Sequence, residues 1–139
     1  MKEIVVFNLG QEQFGIEIEY VLEIIRKQKV TKIPTKDKYL LGLINIRDKV
    51  RNVFDLSKFL EIKNDQDVDK EYYIICIDKE TDKELVFPIS NVKKILKITD
   101  ENKISVQNKE FISDNVKYVV REDSNLITVL NFEKIIKEL

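Results

Sequence analysis

Histidine is absent from this chain, and cysteine occurs once. Without histidine the commonest general base is missing, and with it the Ser-His-Asp and Cys-His arrangements and most zinc sites. A single cysteine, Cys76, excludes an intramolecular disulfide, and nothing points to an oxidising compartment. Cys76 lies in the apolar run Tyr72–Ile77, where a free thiol serves as a small buried hydrophobe. An excess of one charge is lacking too. The 24 Lys and Arg and 25 Asp and Glu leave a net charge of −1, so no long-range field draws in nucleic acid or an anionic membrane. No apolar run approaches the roughly 20 residues that span a bilayer. The chain opens Met1-Lys2-Glu3 and enters an apolar segment at once, which does not read as a signal peptide. The expected compartment is the cytoplasm. Glycine is scarce, and Gly10, Gly15 and Gly42 all lie in the first half.

What is present is enough for a packed interior. The chain has 139 residues with 43% hydrophobic content, which fits one domain or two very small ones sharing a core. Ile4–Leu9 and Gln13–Ile18, around a turn at Gly10, predict a β-hairpin. Glu19–Arg26 spaces Val21, Leu22, Ile24 and Ile25 for one face of a short helix. Val30–Ile33 predicts a short strand ended by Pro34. Leu40–Arg47 and Val50–Leu56 predict a hairpin turning at Asp48-Lys49, and Ser57–Ile62 a short helix. Residues 64–71 form a polar, acidic linker. The second half then predicts a hairpin from Tyr72–Ile77 and Glu84–Ile89, and a short helix over Asn91–Ile98. An irregular stretch over 99–115 follows, then a hairpin from Val116–Arg121 and Leu126–Leu130, and a final helix Phe132–Leu139.

The two halves repeat each other. Ile18, Val21 and Ile24 correspond to Ile89, Val92 and Ile95 at an offset of 71. Val53 to Leu60 corresponds to Val129 to Ile136 at an offset of 76, with Asp55 and Asn131 each placed to cap a helix. About five short strands in each half fit a small barrel better than two stacked sheets. A barrel that small is marginal alone. The expected fold is therefore mainly β: two five-stranded barrel subdomains with short helices, 1–63 and 72–139, sharing a hydrophobic core.

The order Val6-Phe7, Leu9-Gly10, Phe14-Gly15-Ile16, Val21 with Glu23-Ile24, Ile33-Pro34, Gly42-Leu43-Ile44-Asn45-Ile46-Arg47 and Val53-Phe54-Asp55-Leu56 resembles the CheW-like family of bacterial chemotaxis coupling domains. The resemblance covers essentially the whole chain and is most specific in the first half. It implies two SH3-like β-barrels and a non-catalytic adaptor, with no cofactor and no metal. The implied partners are the regulatory domain of a CheA-type histidine kinase and the cytoplasmic tip of a methyl-accepting chemoreceptor. Carried over by position, the partner-binding residues are Val21, Glu23, Gly42 and Arg47. A receptor's helical tip would lay an apolar face into a groove beside Val21. The Arg47 guanidinium would either pin a turn through carbonyls or bridge to a partner carboxylate. On spacing alone Val21 reads as core, and Gly42 as a point of close backbone approach or positive φ. The family pattern is broken at Asp48, Asn52, Ser90 and Asp114, which stand where glycine, proline, aspartate and glycine are usual. These changes bear on partner choice more than on fold, and leave open a paralogue that scaffolds a different signalling complex.

Two other classes are weaker. A nucleic-acid-binding barrel needs a basic stripe with aromatic residues, whereas Lys93, Lys94 and Lys97 stand among interleaved acids. An enzyme would need a carboxylate pair or a metal. Asp65, Asp67 and Asp69 alternate in the linker, but Lys70 occupies the sixth position where a calcium loop requires glycine.

Overall fold

A computed structural model describes residues 2–62, 70–104 and 112–139. The first hairpin is β1 (Lys2–Leu9) and β2 (Glu12–Glu17), turning at Gly10 with φ +63°. A single 3-10 turn, Ile18–Tyr20, leads into β3 (Val21–Arg26). Then come β4 (Leu40–Ile46), β5 (Lys49–Phe54) and the short helix α1 (Leu56–Phe59). The later residues form β6 (Tyr72–Asp78), β7 (Lys83–Ile89), β8 (Asn91–Ile98), β9 (Lys103–Ile104), β10 (Val116–Glu122), β11 (Asn125–Leu130) and α2 (Phe132–Glu138).

The protein is mainly β, with one six-stranded sheet in the order β8-β1-β2-β11-β10-β9 and one five-stranded sheet in the order β3-β6-β7-β5-β4. Each sheet draws on both halves of the chain. The β1-β2 hairpin from the first half pairs with β8 and β11, and the β6-β7 hairpin from the second half pairs with β3 and β5. The boundary expected between 1–63 and 72–139 therefore does not separate the sheets, because the halves exchange hairpins. The repeat is nonetheless plain. Both sheets follow the same order of equivalent strands, including a parallel contact, β2 with β11 and β7 with β5. The expected linker falls almost wholly on residues 63–69, outside the described part, as does the 105–111 portion of the expected irregular stretch.

The two helices expected at Glu19–Arg26 and Asn91–Ile98 are strands. Their spacing of three between apolar residues has a different origin. In β3, Val21 pairs with Cys76 and Ile24 with Ile74, and a bulge between Val21 and Glu23 absorbs Leu22. In β8, Val92 pairs with Phe7 and Ile95 with Val5, with the same irregularity at Lys93. One extra residue in a strand brings positions three apart onto one face, which imitates helical periodicity. Val30–Ile33 is not a strand either, and contributes a single bridge, Thr31 to Leu43. The second hairpin turns at Arg47-Asp48, one residue earlier than expected, closed by Ile46 and Lys49.

Among the described residues, three apolar clusters hold the fold. The largest joins the sheets and includes Val5, Phe7, Ile16, Ile74, Cys76, Phe87 and Phe132. One smaller cluster, with Ile4, Val6, Val120 and Ile127, belongs to the six-stranded sheet. The other, with Ile44, Val53, Ile75 and Val86, belongs to the five-stranded sheet. Full burial of each such side chain contributes about 1.5–3 kcal/mol. Both helix caps are as read from sequence, although the helix expected over Ser57–Ile62 starts one residue earlier, at Leu56. The Asp55 carboxylate accepts from the Lys58 N–H at 3.0 Å, and the Asn131 side chain accepts from the Lys134 N–H at 3.2 Å.

Candidate docking surface

The bulge in β3 decides where its side chains go. Val21 and Ile24 are half-buried and pack on the joint core. Glu23 projects from the other face, on the side of Ile75. There it meets Arg47 at the tip of the β4-β5 hairpin. The Arg47 Nη1 donates to Glu23 Oε1 at 3.0 Å, and Nη2 donates to Oε2. This fork-to-fork geometry is the favoured one for a guanidinium and a carboxylate. The hydrogen bonds from Arg47 hold the Glu23 carboxyl below its usual range, and Glu23 in turn raises Arg47. Arg47 keeps 67% of its side chain exposed. The guanidinium therefore meets an acid of its own chain rather than turn carbonyls, and presents its remaining surface outward.

Gly42 is elsewhere. A Cβ there would fall 2.3 Å from the carbonyl oxygen of Thr31 and 2.7 Å from Val30, and its φ is +150°. It serves the close backbone approach that its residue type suggested. The structure thus brings Glu23 and Arg47 together, sets Val21 two residues away on the opposite face of β3, and leaves Gly42 under a neighbouring segment.

The repeat places a second ion pair at the corresponding spot of the other sheet. Lys94, the equivalent of Glu23 at the offset of 71, donates to Glu122 beside the tip of the β10-β11 hairpin. The polarity is reversed: acid on β3 and base at the tip in one sheet, base on β8 and acid at the tip in the other.

Two docking candidates were not singled out from sequence. Val50 is 60% exposed at the β4-β5 tip, and Leu126 is 57% exposed at the β10-β11 tip. They are equivalents at the offset of 76, so superposing the halves would have paired them. On β8, Ile95 is 56% exposed and Val92 is also open, although both pair with core residues of β1. Their counterparts Ile24 and Val21 are better covered, packing on the joint core alongside Tyr20, whose ring lies tilted against Phe132 of α2 and whose hydroxyl donates to Glu133. Asn91 stands where that tyrosine would be. Among the described residues, no helix is long and apolar enough to cross a membrane, and no group of acids and thiols is arranged to hold a metal ion. Cys76 is fully buried, and desolvation raises its thiol far above the ordinary value.

Comparison with known proteins adds to this geometry. The CheW-like domain profile matches residues 3–139. A chemotaxis protein CheW of Thermotoga maritima is 28% identical over 138 residues, covering 99% of this chain and 89% of that protein. The Helicobacter pylori chemotaxis protein CheW is 25% identical, covering 95% of this chain and 79% of its own length. Among solved structures, the scaffolding protein TtCheW from Thermoanaerobacter tengcongensis aligns with a TM-score of 0.78 and 27% identity, covering 93% of this chain and 88% of that one.

Proposed function

This chain belongs to the CheW-like domain family, and from that premise we propose that it is a non-catalytic adaptor coupling transmembrane chemoreceptors to a CheA-type histidine kinase. Its partners are the regulatory domain of the kinase and the cytoplasmic tip of a methyl-accepting receptor. It works in the cytoplasm without a cofactor, without inserting in the membrane and without binding nucleic acid. The observation that carries the reading is the matched pair of hairpin tips. Each presents one exposed apolar residue, Val50 or Leu126, beside an ion pair, Glu23–Arg47 or Lys94–Glu122. Exposed apolar residues framed by charge suit protein contacts. Val92 and Ile95, exposed on β8 opposite Phe7 and Val5, offer an apolar seat to a helical partner, and Val21 and Ile24 hold the equivalent positions on β3. Val21, Glu23 and Arg47 are the contact residues in this reading, and Gly42 acts through the segment it seats.

The departures from the family pattern bear on which kinase or receptor is bound. Asp48 sits at the first tip and Asn52 is exposed on β5. Asp114 is exposed before β10, whereas Ser90 is buried between β7 and β8. The test is a titration of this chain against a CheA-type regulatory domain and, separately, a receptor tip. We expect binding at tens of micromolar or tighter. Val50→Asp and Leu126→Asp should keep the melting temperature and weaken kinase binding about ten-fold each, the scale of a lost apolar contact. Absence of binding to both partners at that concentration removes the proposal.

A further inference from the structure

The segment after β3 is strongly basic. Residues 26–38 hold Arg26, Lys27, Lys29, Lys32, Lys36 and Lys38 against one acid, Asp37, in a chain of net charge −1. All six basic residues are exposed. Asp37 turns its carboxylate to the N–H of Tyr39 at 2.8 Å. The segment is held on the five-stranded sheet by reciprocal backbone bonds between Thr31 and Leu43, both 2.8 Å. This approach is possible because residue 42 lacks a Cβ.

Under the segment lies a cleft of about 270 Å³ whose floor is Val30, Leu41, Tyr73 and Pro88. Its exposed rim is Lys27 and Lys32, with Lys70 buried in the wall, and no acidic side chain of the described residues lines it. Lys70 has the Asp55 carboxylate at 3.9 Å, whereas Lys27 and Lys32 pair with no carboxylate among the described residues. The cleft sits near the start of β4, at the opposite end of that strand from the Arg47 tip.

We propose that this cleft docks a partner-protein segment in which an apolar side chain is flanked by Asp or Glu. Its volume falls just below the roughly 300–1,000 Å³ of small-molecule sites, and suits one large side chain. The ammonium rim complements flanking carboxylates. Tyr73 and Pro88 are buried in the floor, while Leu41 is 36% exposed at its edge. The Tyr73 ring is buried and its hydroxyl donates to the Gln28 carbonyl at 2.9 Å, so it offers no open face on which a base stacks.

The test is an NMR titration of the labelled full chain with a blocked peptide of sequence Glu-Asp-Leu-Phe-Asp-Glu. Shifts are expected at the amides of Lys27, Thr31, Leu41 and Tyr73. The midpoint should rise about ten-fold for the neutral peptide Gln-Asn-Leu-Phe-Asn-Gln and for the Lys27→Gln/Lys32→Gln variant, as the loss of charge complementarity requires. It should stay unchanged in Lys93→Gln/Lys97→Gln, which alters lysines on β8. No shift at millimolar peptide, equal response to the neutral peptide, or stronger shifts of the same amides by a DNA duplex or phosphatidylglycerol vesicles overturns the proposal. None of these outcomes depends on the kinase or the receptor.

Discussion

Glu17 shows how one side chain is held against its own desolvation. It is 2% exposed. Burial pushes its carboxyl up, but the hydrogen bonds from Lys117 at 2.7 Å and Tyr118 at 2.9 Å, the charge of Lys117 and the contact with Lys2 outweigh it. The carboxyl therefore titrates below its ordinary value. A carboxyl lowered on folding contributes stability above its unfolded pKa and loses it as pH falls through the folded one. Glu17 thus stabilises at neutral pH and ceases to do so in strong acid. We expect Glu17→Gln to lower stability near neutrality by about 1–3 kcal/mol, the scale of a charged buried hydrogen-bond set. Urea unfolding should show that gap closing as the pH is taken below the usual carboxylate range. A gap of constant size would mean that shape, not charge, is what Glu17 supplies. Glu23 is lowered in the same direction by Arg47, but it is solvent-exposed, and its pairing positions a surface more than it supports the fold.

At the scale of elements, the repeated bulge is the feature that shapes the surface. Without Leu22 and Lys93 as extra residues, Glu23 and Lys94 would lie on the core side of their strands, and neither tip ion pair would form. The β4-β5 tip is the least relaxed part of this arrangement. Arg47 and Asp48 both have positive φ, +50° and +66°, in a two-residue loop. Such a loop favours glycine at its second position, since an L side chain is strained there. Asp48→Gly should stabilise the chain by about 0.5–1 kcal/mol, read as a higher melting temperature. It should leave the Glu23–Arg47 pair intact, because position 48 contributes no atom to it. The hairpin strands and the caps in this chain were legible because they depend on near neighbours, whereas β3 and β8 read as helices. The bulges were not, because an inserted residue shows only against the strand that it faces.

Across the whole molecule, the exchange of hairpins makes the two sheets mutually dependent. The first half alone would hold β1-β2 with no β8 or β11 to flank it, and β3 and β5 with no β6-β7 between them. Its unpaired strands would expose backbone donors and acceptors that water alone must satisfy. We expect a fragment ending at residue 62 and a fragment starting at residue 70 each to give collapsed, poorly dispersed NMR spectra. Mixed in equal amounts, they should recover the dispersion of the full chain. A well-dispersed spectrum from either fragment alone would show that the sheets do not need one another.

The sequence by itself determined the alternation of the strands, the two capped helix starts and the doubled unit with its offsets of 71 and 76. These follow from the period of apolar residues and from side chains that bond their own backbone a few positions on. Only the tertiary structure decided which hairpin enters which sheet, because both hairpins present equivalent patterns and either could complete either partner. It likewise decided that Glu23 finds Arg47 and that Val50 and Leu126 remain uncovered. Those outcomes depend on how far each sheet curls and on what packs over it, and such distances are not encoded in the spacing of residues along one strand.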